Sequence, residues 1–181
     1  MTTPQHSAWS VSAADFRRFE RTVTVGAGDA AWERARTDLL AWRVKTRSGF
    51  RVVPDSPATP GGRHRLVIGL GRCAIREPVE VTIVVDEPDR VGYAYRTLPG
   101  HPLDGEEAFI VSRHGDEVRF TLRSLSRPAP SWLWRLASPA VRIVQVIVRR
   151  RYLSALRRGD RYGYGDEPAN RDARDRRRHP G

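Results

Sequence analysis

The strongest constraint on the fold is a hydrophobic period that runs at two through the middle of the chain and changes near its end. Between residues 63 and 124, five runs alternate or concentrate β-favouring side chains: "RLVIGLG", "VEVTIVV", "VGYAYRT", "EAFIV" and "VRFTLRS". Alternation sends successive side chains to opposite faces of a strand. In the last run Val118, Phe120, Leu122 and Ser124 share one face, and Arg119, Thr121 and Arg123 share the other. Arg113-His114-Gly115-Asp116 reads as a turn between the last two runs. Short links between successive strands imply an antiparallel meander. Such a sheet has one apolar face and must bury it.

The element large enough to cover that face follows at once, in "SWLWRLASPAVRIVQVIVRRRYLSALRR". Ser131 can cap a short helix, and Ser138-Pro139 opens a longer one, with Ser as cap and Pro in the first turn. Ala140, Val141, Val144, Ile147, Val148, Tyr152 and Ala155 form a broad apolar face. Arg135, Ser138, Arg142, Gln145 and Arg149 form a polar stripe. Run to Arg158 and ended by Gly159, this helix is about 30 Å long. Ahead of the sheet, "FERTVTVGAG" reads as a strand. A helix capped by Asp29 follows it, with Trp32, Ala35, Leu39 and Trp42 along one face. The expected fold is α+β: a curved antiparallel sheet of six to seven strands wrapped around a long C-terminal helix, with one short N-terminal helix. This helix-grip arrangement commonly encloses a cavity between sheet and helix, suited to an apolar ligand.

A length of 181 residues points to one domain. Residues 1–16 and 159–181 are polar and without period, and are expected to be disordered around a single domain at 17–158. The net charge is +11, which raises the case for anionic partners. The acids interleaved with the tail arginines argue against a phosphate-binding arm. Cys73 is the one cysteine, so neither an intramolecular disulfide nor a cysteine-based zinc site is expected. With no apolar leader and no run long enough to span a bilayer, a soluble cytoplasmic protein is expected. Gly26-Ala27-Gly28 lacks the third glycine and the Lys-Ser/Thr ending of a nucleotide loop. No cofactor is expected.

Several segments together resemble a bacterial and plant family known as uncharacterised protein family number 0548. They are Gly26/Gly28, the loop "TLPGHPLDGEEAF" at Thr97–Phe109, Ser126-Arg127-Pro128, the Arg142/Gln145 pair and the Tyr152/Ala155/Leu156 ending. The likeness covers most of residues 20 to 158. Arg96 and Ala108, flanking the loop motif, depart from the family pattern. The resemblance imports no activity. It implies a helix-grip (START/Bet v 1-like) domain in which the loop motif serves the family's common role.

His101, Glu106 and Glu107 are the candidate catalytic residues, since a histidine with a carboxylate is a common acid–base pair. Only Asp104 could add a nearby metal ligand, so no metal site is expected. The prolines and glycines around them equally suit a shaped turn held by side chain to backbone bonds. Once the next strand begins, Glu106 and Glu107 point to opposite faces, so at most one meets a cavity. Arg127 can bind an acidic ligand group or pair with Glu106 or Glu107. Tyr93 and Tyr95 share a strand face and have polar tips suited to a cavity wall. The ligand-binding candidates are therefore Tyr93, Tyr95, His101, Glu106, Glu107 and Arg127. Trp132 and Trp134 fit a lid at one end of the fold, or peripheral membrane contact beside Arg149–Arg151. Three functions remain open: binding a small apolar or amphipathic molecule, acid–base catalysis by His101 with a glutamate in the same cavity, and surface binding to anionic lipid or nucleic acid through Arg149–Arg151 and the tail. Stacking aromatics among those arginines are scarce, which argues against specific nucleic-acid reading.

Overall fold

A computed structural model of the chain describes residues 1–9, 15–69, 71, 74–129 and 138–157, with side chains of the last helix described from Val144 onward. Cys73, Ser131, Trp132, Trp134, Gly159 and the tail lie outside the described residues. Seven strands form one antiparallel sheet: β1 (Arg17–Ala27), β2 (Phe50–Val53), β3 (Arg63–Ile68), β4 (Ile75–Glu87), β5 (Arg90–Thr97), β6 (Leu103–His114) and β7 (Glu117–Pro128). The order across the sheet is β1-β7-β6-β5-β4-β3-β2. Strands β2 to β7 follow the chain as a meander, and β1 returns to pair with β7. Helices α1 (Gly28–Leu40) and α2 (Arg43–Thr46) carry the chain from one edge strand to the other. Helix α3 (Ser138–Ala155) follows the sheet. This is the helix-grip architecture, its seven strands within the six to seven expected, with one short helix, α2, that the sequence pattern does not reveal.

The inner face of the sheet follows the alternation. Val79, Val81, Val91, Tyr93, Tyr95, Phe109, Val111, Val118, Phe120 and Leu122 are buried in one cluster with Trp32, Ala35 and Leu39 of α1. Trp42 ends α1 rather than extending it. Its left-handed backbone (φ 57°, ψ 19°) turns the chain into α2, and its ring packs 4.6 Å from Tyr93 and 4.9 Å from His64. Contacts of this kind add about 0.5–1.5 kcal/mol beyond the area they bury. Asp29 does not cap α1: the helix begins at Gly28 with Ala27 as its cap residue, and Asp29 pairs with Arg113 from the first turn. Gly26 explains the Gly-x-Gly. A Cβ there would lie 2.7 Å from that of Ala31, so the glycine lets α1 seat against the end of β1.

Helix α3 departs most from its sequence reading. Its end joins the core through Tyr152 and Ala155, with Leu156 just beyond. Further back, Val144, Val146 and Ile147 are about half exposed, while Gln145 and Arg149 turn toward the sheet. Gln145 and Arg149 of the polar stripe thus face inward, where the sheet offers Ser126 and Ser124 as partners, and Val144 and Ile147 of the apolar face are about half exposed.

Residues 1–9, part of the segment expected to be disordered, are among the described residues. They lie against the outer face of the sheet, where the buried Arg123 donates to the carbonyls of Thr3, His6 and Ser7 and to Glu20. Arg90 donates to the carbonyls of Pro4 and His6, and Trp9 is buried under Arg18 and Arg123. Polar composition does not prevent order where fixed guanidinium groups supply partners for the backbone. Arg123→Met is expected to lower the unfolding free energy by about 2–4 kcal/mol in urea denaturation and to open residues 1–9 to limited proteolysis. An unchanged cleavage pattern would show that the segment is held by other contacts.

Candidate functional site

The site grows from a lysine. Because Trp42 breaks the helix, the single turn of α2 directs Lys45 inward, where it is 1% exposed. Its ammonium lies 3.1 Å from Glu107 Oε2 and 2.6 Å from the Tyr152 hydroxyl. The rings of Phe50, Tyr95, Phe109 and Tyr152 surround it at 4.4–5.1 Å. Tyr95, two residues beyond Tyr93 on the inner face of β5, donates a short hydrogen bond to the same Glu107 oxygen. A buried charge needs a partner and hydrogen bonds, and this arrangement supplies both.

The protons can be assigned from donor capacity. An ammonium only donates, so the Tyr152 oxygen accepts from Lys45, and the Tyr152 proton is left to point elsewhere. The Tyr95 proton is committed to Glu107. Burial, followed by the Glu107 charge, pushes both Tyr95 and Tyr152 well above the ordinary tyrosine range. For Glu107, burial is the largest single influence and pushes upward. The Lys45 charge, the Tyr95 hydroxyl and Arg149 together outweigh it, so the carboxyl stays below its usual value and ionised.

Above this floor a cavity of about 290 Å³ opens between the sheet and α3. Lys45, Tyr95, Glu107 and Ser124 line its floor, Gln145, Val148, Arg149 and Tyr152 its helix side, and Glu77, Thr97 and His101 its far end. Arg149 donates to Ser124 Oγ at 3.2 Å and lies 4.3 Å over the Phe19 ring. Burial lowers its pKa, partly countered by Glu107. Gln145 reaches Ser126 Oγ at 3.5 Å.

The motif loop is a connection with one inward face. His101 is buried. Its Nδ1 accepts the Leu103 N–H at 3.0 Å, so in the neutral ring Nε2 carries the proton, 3.6 Å from Glu77. Gly105 lets β6 approach β7: a Cβ there would come 1.9 Å from the Leu125 carbonyl oxygen. Glu106 and Glu107 diverge as strand geometry requires. Glu107 enters the cavity floor, while the Glu106 carboxylate accepts the Thr2 N–H at 2.9 Å.

Of the six residues singled out for ligand binding, Tyr95, His101 and Glu107 border the cavity, and Glu106 lies at its edge with its carboxylate turned away to the Thr2 N–H. Tyr93 does not; Trp42 and Phe109 sandwich it in the core. Arg127 pairs with Asp104 at 2.7 Å, not with either glutamate. It shares strand parity with Arg123 on the outer face and so cannot reach the cavity. His101 meets Glu77 rather than Glu106 or Glu107, so the proposed acid–base pair is not assembled. Arg149–Arg151 does not act as one surface patch either: Arg149 lines the cavity, while Arg150 and Arg151 are exposed, Arg151 with a contact to the Ser48 carbonyl at 3.5 Å. Among the described residues no three His, Cys, Asp or Glu converge as a metal site, and no helix is long and apolar enough to cross a membrane. Lys45, Glu77 and the inward role of Arg149 escape the sequence reading. The signal available for the last was the spacing of Gln145, Arg149 and Tyr152, which places them on one helix face.

Comparison with known proteins adds the lineage. The model of a domain of unknown function, DUF1990, matches residues 3–155. A UPF0548 protein of Deinococcus radiodurans is 34% identical over 166 residues, covering 83% of each chain. A UPF0548 protein of Arabidopsis thaliana is 30% identical over 131 residues, covering 68% of this chain and 63% of the relative. Among solved structures, hypothetical protein jhp0584 of Helicobacter pylori superposes with a TM-score of 0.60 at 13% identity, over 86% of this chain and 96% of that one. Protein Ms6760 of Mycobacterium smegmatis gives 0.53 at 15% identity, over 80% and 94%. At such identities the structures speak for the fold alone, whereas the family match spans nearly the whole described domain, and the chain belongs to the DUF1990 family of UPF0548 proteins.

Proposed function

We propose that this protein binds a small apolar or amphipathic molecule in the cavity between its sheet and α3. The observation that carries this reading is a space of about 290 Å³ set directly over a buried, fully engaged Lys45–Glu107 pair. Close-packed interiors hold few voids larger than a water molecule. Pockets that take small molecules join apolar walls to a few fixed polar groups. Phe50, Ile68 and Val148 supply the walls, and Tyr95, His101, Glu107, Arg149 and Tyr152 supply the polar groups. Native mass spectrometry of the purified protein, before and after organic extraction, should find a retained small molecule. Val148→Trp, which fills the space from the helix side, should release it while the fold persists. A wild-type protein that retains no ligand, and that binds none of a panel of small alcohols and acids, would sink the reading.

The floor itself is open to two tests. Lys45→Met leaves the Glu107 charge uncompensated and should cost about 3–5 kcal/mol of unfolding free energy. Combining it with Glu107→Leu should recover most of that loss. Equal losses in the single and double variants would mean that the pair is not coupled.

The pH dependence follows from the shifts. Glu107 has a lowered folded pKa, so its contribution is present above the unfolded value of about 4.3 and fades as pH falls through the folded value. Tyr95 and Tyr152 have raised folded values and stay neutral when folded. Stability should therefore also fall as pH rises past the unfolded tyrosine value of about 10. Urea midpoints measured across pH should show both limbs, and Glu107→Gln should flatten the acid one.

A further inference from the structure

The binding reading leaves the chemistry of the ligand's polar end open, and the charges around the cavity bear on it. Two cations, Lys45 and Arg149, line the cavity with Glu107 on the floor and the helix side, and of the other acids around it Asp104 is paired with Arg127 and Glu106 accepts the Thr2 N–H. At the far end, Glu77 faces His101. Lys45 is spoken for by Glu107 and Tyr152. Arg149 is not paired in the same way. Among the described residues its side-chain acceptor is the Ser124 hydroxyl, no carboxylate lies within ion-pair distance of it, and its buried Nε–H has no partner.

Two further donors stand on the same wall. The Tyr152 oxygen accepts from Lys45, so its proton is not used there. Gln145, one helical turn before Arg149, offers an amide whose contact with Ser126 is at the 3.5 Å limit. Arginine's planar set of N–H groups suits a carboxylate or another oxyanion, which it can bind through two parallel bonds. A half-buried cation whose buried Nε–H is unfilled is a costly arrangement unless an acceptor completes it.

We infer, on the basis of the proposed cavity function, that the ligand is an amphipathic acid whose anionic group is held by Arg149, beside Tyr152 and Gln145, with its apolar body lying between Val148 and Phe50. At the ~30 Å³ that a water molecule occupies in the liquid, the cavity of about 290 Å³ has room for about ten waters, the scale of a small ligand. This matches a medium-chain fatty acid or an arylalkanoic acid.

Isothermal titration calorimetry on the full chain, stripped of copurified ligand, tests the assignment with two matched pairs of probes. These are octanoate against 1-octanol, and 3-phenylpropionate against 3-phenylpropan-1-ol. Each acid should bind about 10- to 100-fold more tightly than its alcohol, the range that a charge-assisted hydrogen bond provides. Arg149→Gln should remove that preference, bringing each acid down to the affinity of its alcohol in the same variant. Arg149→Lys should keep part of it, and thermal melts should show that both variants fold. Alcohols that bind as well as acids would overturn the anion assignment while leaving the cavity reading intact, and so would an acid preference that survives Arg149→Gln. The absence of binding by all four probes would overturn both readings together.

Discussion

The Lys45–Glu107 pair is the interaction around which the interior is arranged. A lysine 1% exposed among four aromatic rings can remain charged only with an anion and hydrogen bonds at hand. Glu107 supplies the anion, and Tyr152 accepts a second bond from the ammonium. Tyr95 then fixes Glu107 from the side. Each group comes from a different element: the one-turn helix α2, strands β5 and β6, and the end of α3. The pair therefore ties together the parts of the fold that the backbone hydrogen bonds leave separate. Above it lies the space across which α3 presents Gln145 and Arg149 to Ser126 and Ser124 of the sheet, with Val146 and Ile147 about half exposed.

The outer face carries a second and separate polar system. Strand parity divides the charges of β6 and β7 between the two faces. Glu107 and Ser124 face the cavity, while Glu106, Arg123 and Arg127 face the other way, where the N-terminal segment and Asp104 meet them. Neighbouring residues of one motif thus take unrelated jobs. Glu107 joins the floor of the cavity, and Glu106 helps to hold the first residues of the chain. His101 stands apart from both, tied to its own loop through the Leu103 N–H and facing Glu77.

Much of this can be read in the residues. The alternation of Val118, Phe120, Leu122 and Ser124 against Arg119, Thr121 and Arg123 gives the inner and outer faces of β7. Extended three residues, it also places Arg127 on the outer face. The divergence of Glu106 and Glu107 follows from the same rule. The cavity position of Tyr95, His101 and Glu107 was within reach. The burial of Tyr93 was not, because Trp42 covers it from a turn whose left-handed backbone no local pattern announces. Lys45 was hidden for the same reason: in a four-residue helix there is no period to assign it a face.

By itself the sequence determined the class of elements, their order, the sheet's two faces and the need for a covering helix. These depend on side-chain period and on turn residues, both of which are local. Tertiary structure decided what the helix turns toward the sheet, which carboxylate meets which cation, and where the interior is left open. Those outcomes rest on pairings between residues far apart in the chain: 62 positions separate Lys45 from Glu107, and 107 separate it from Tyr152. The strength of such pairings depends on the water excluded once the fold has closed around them.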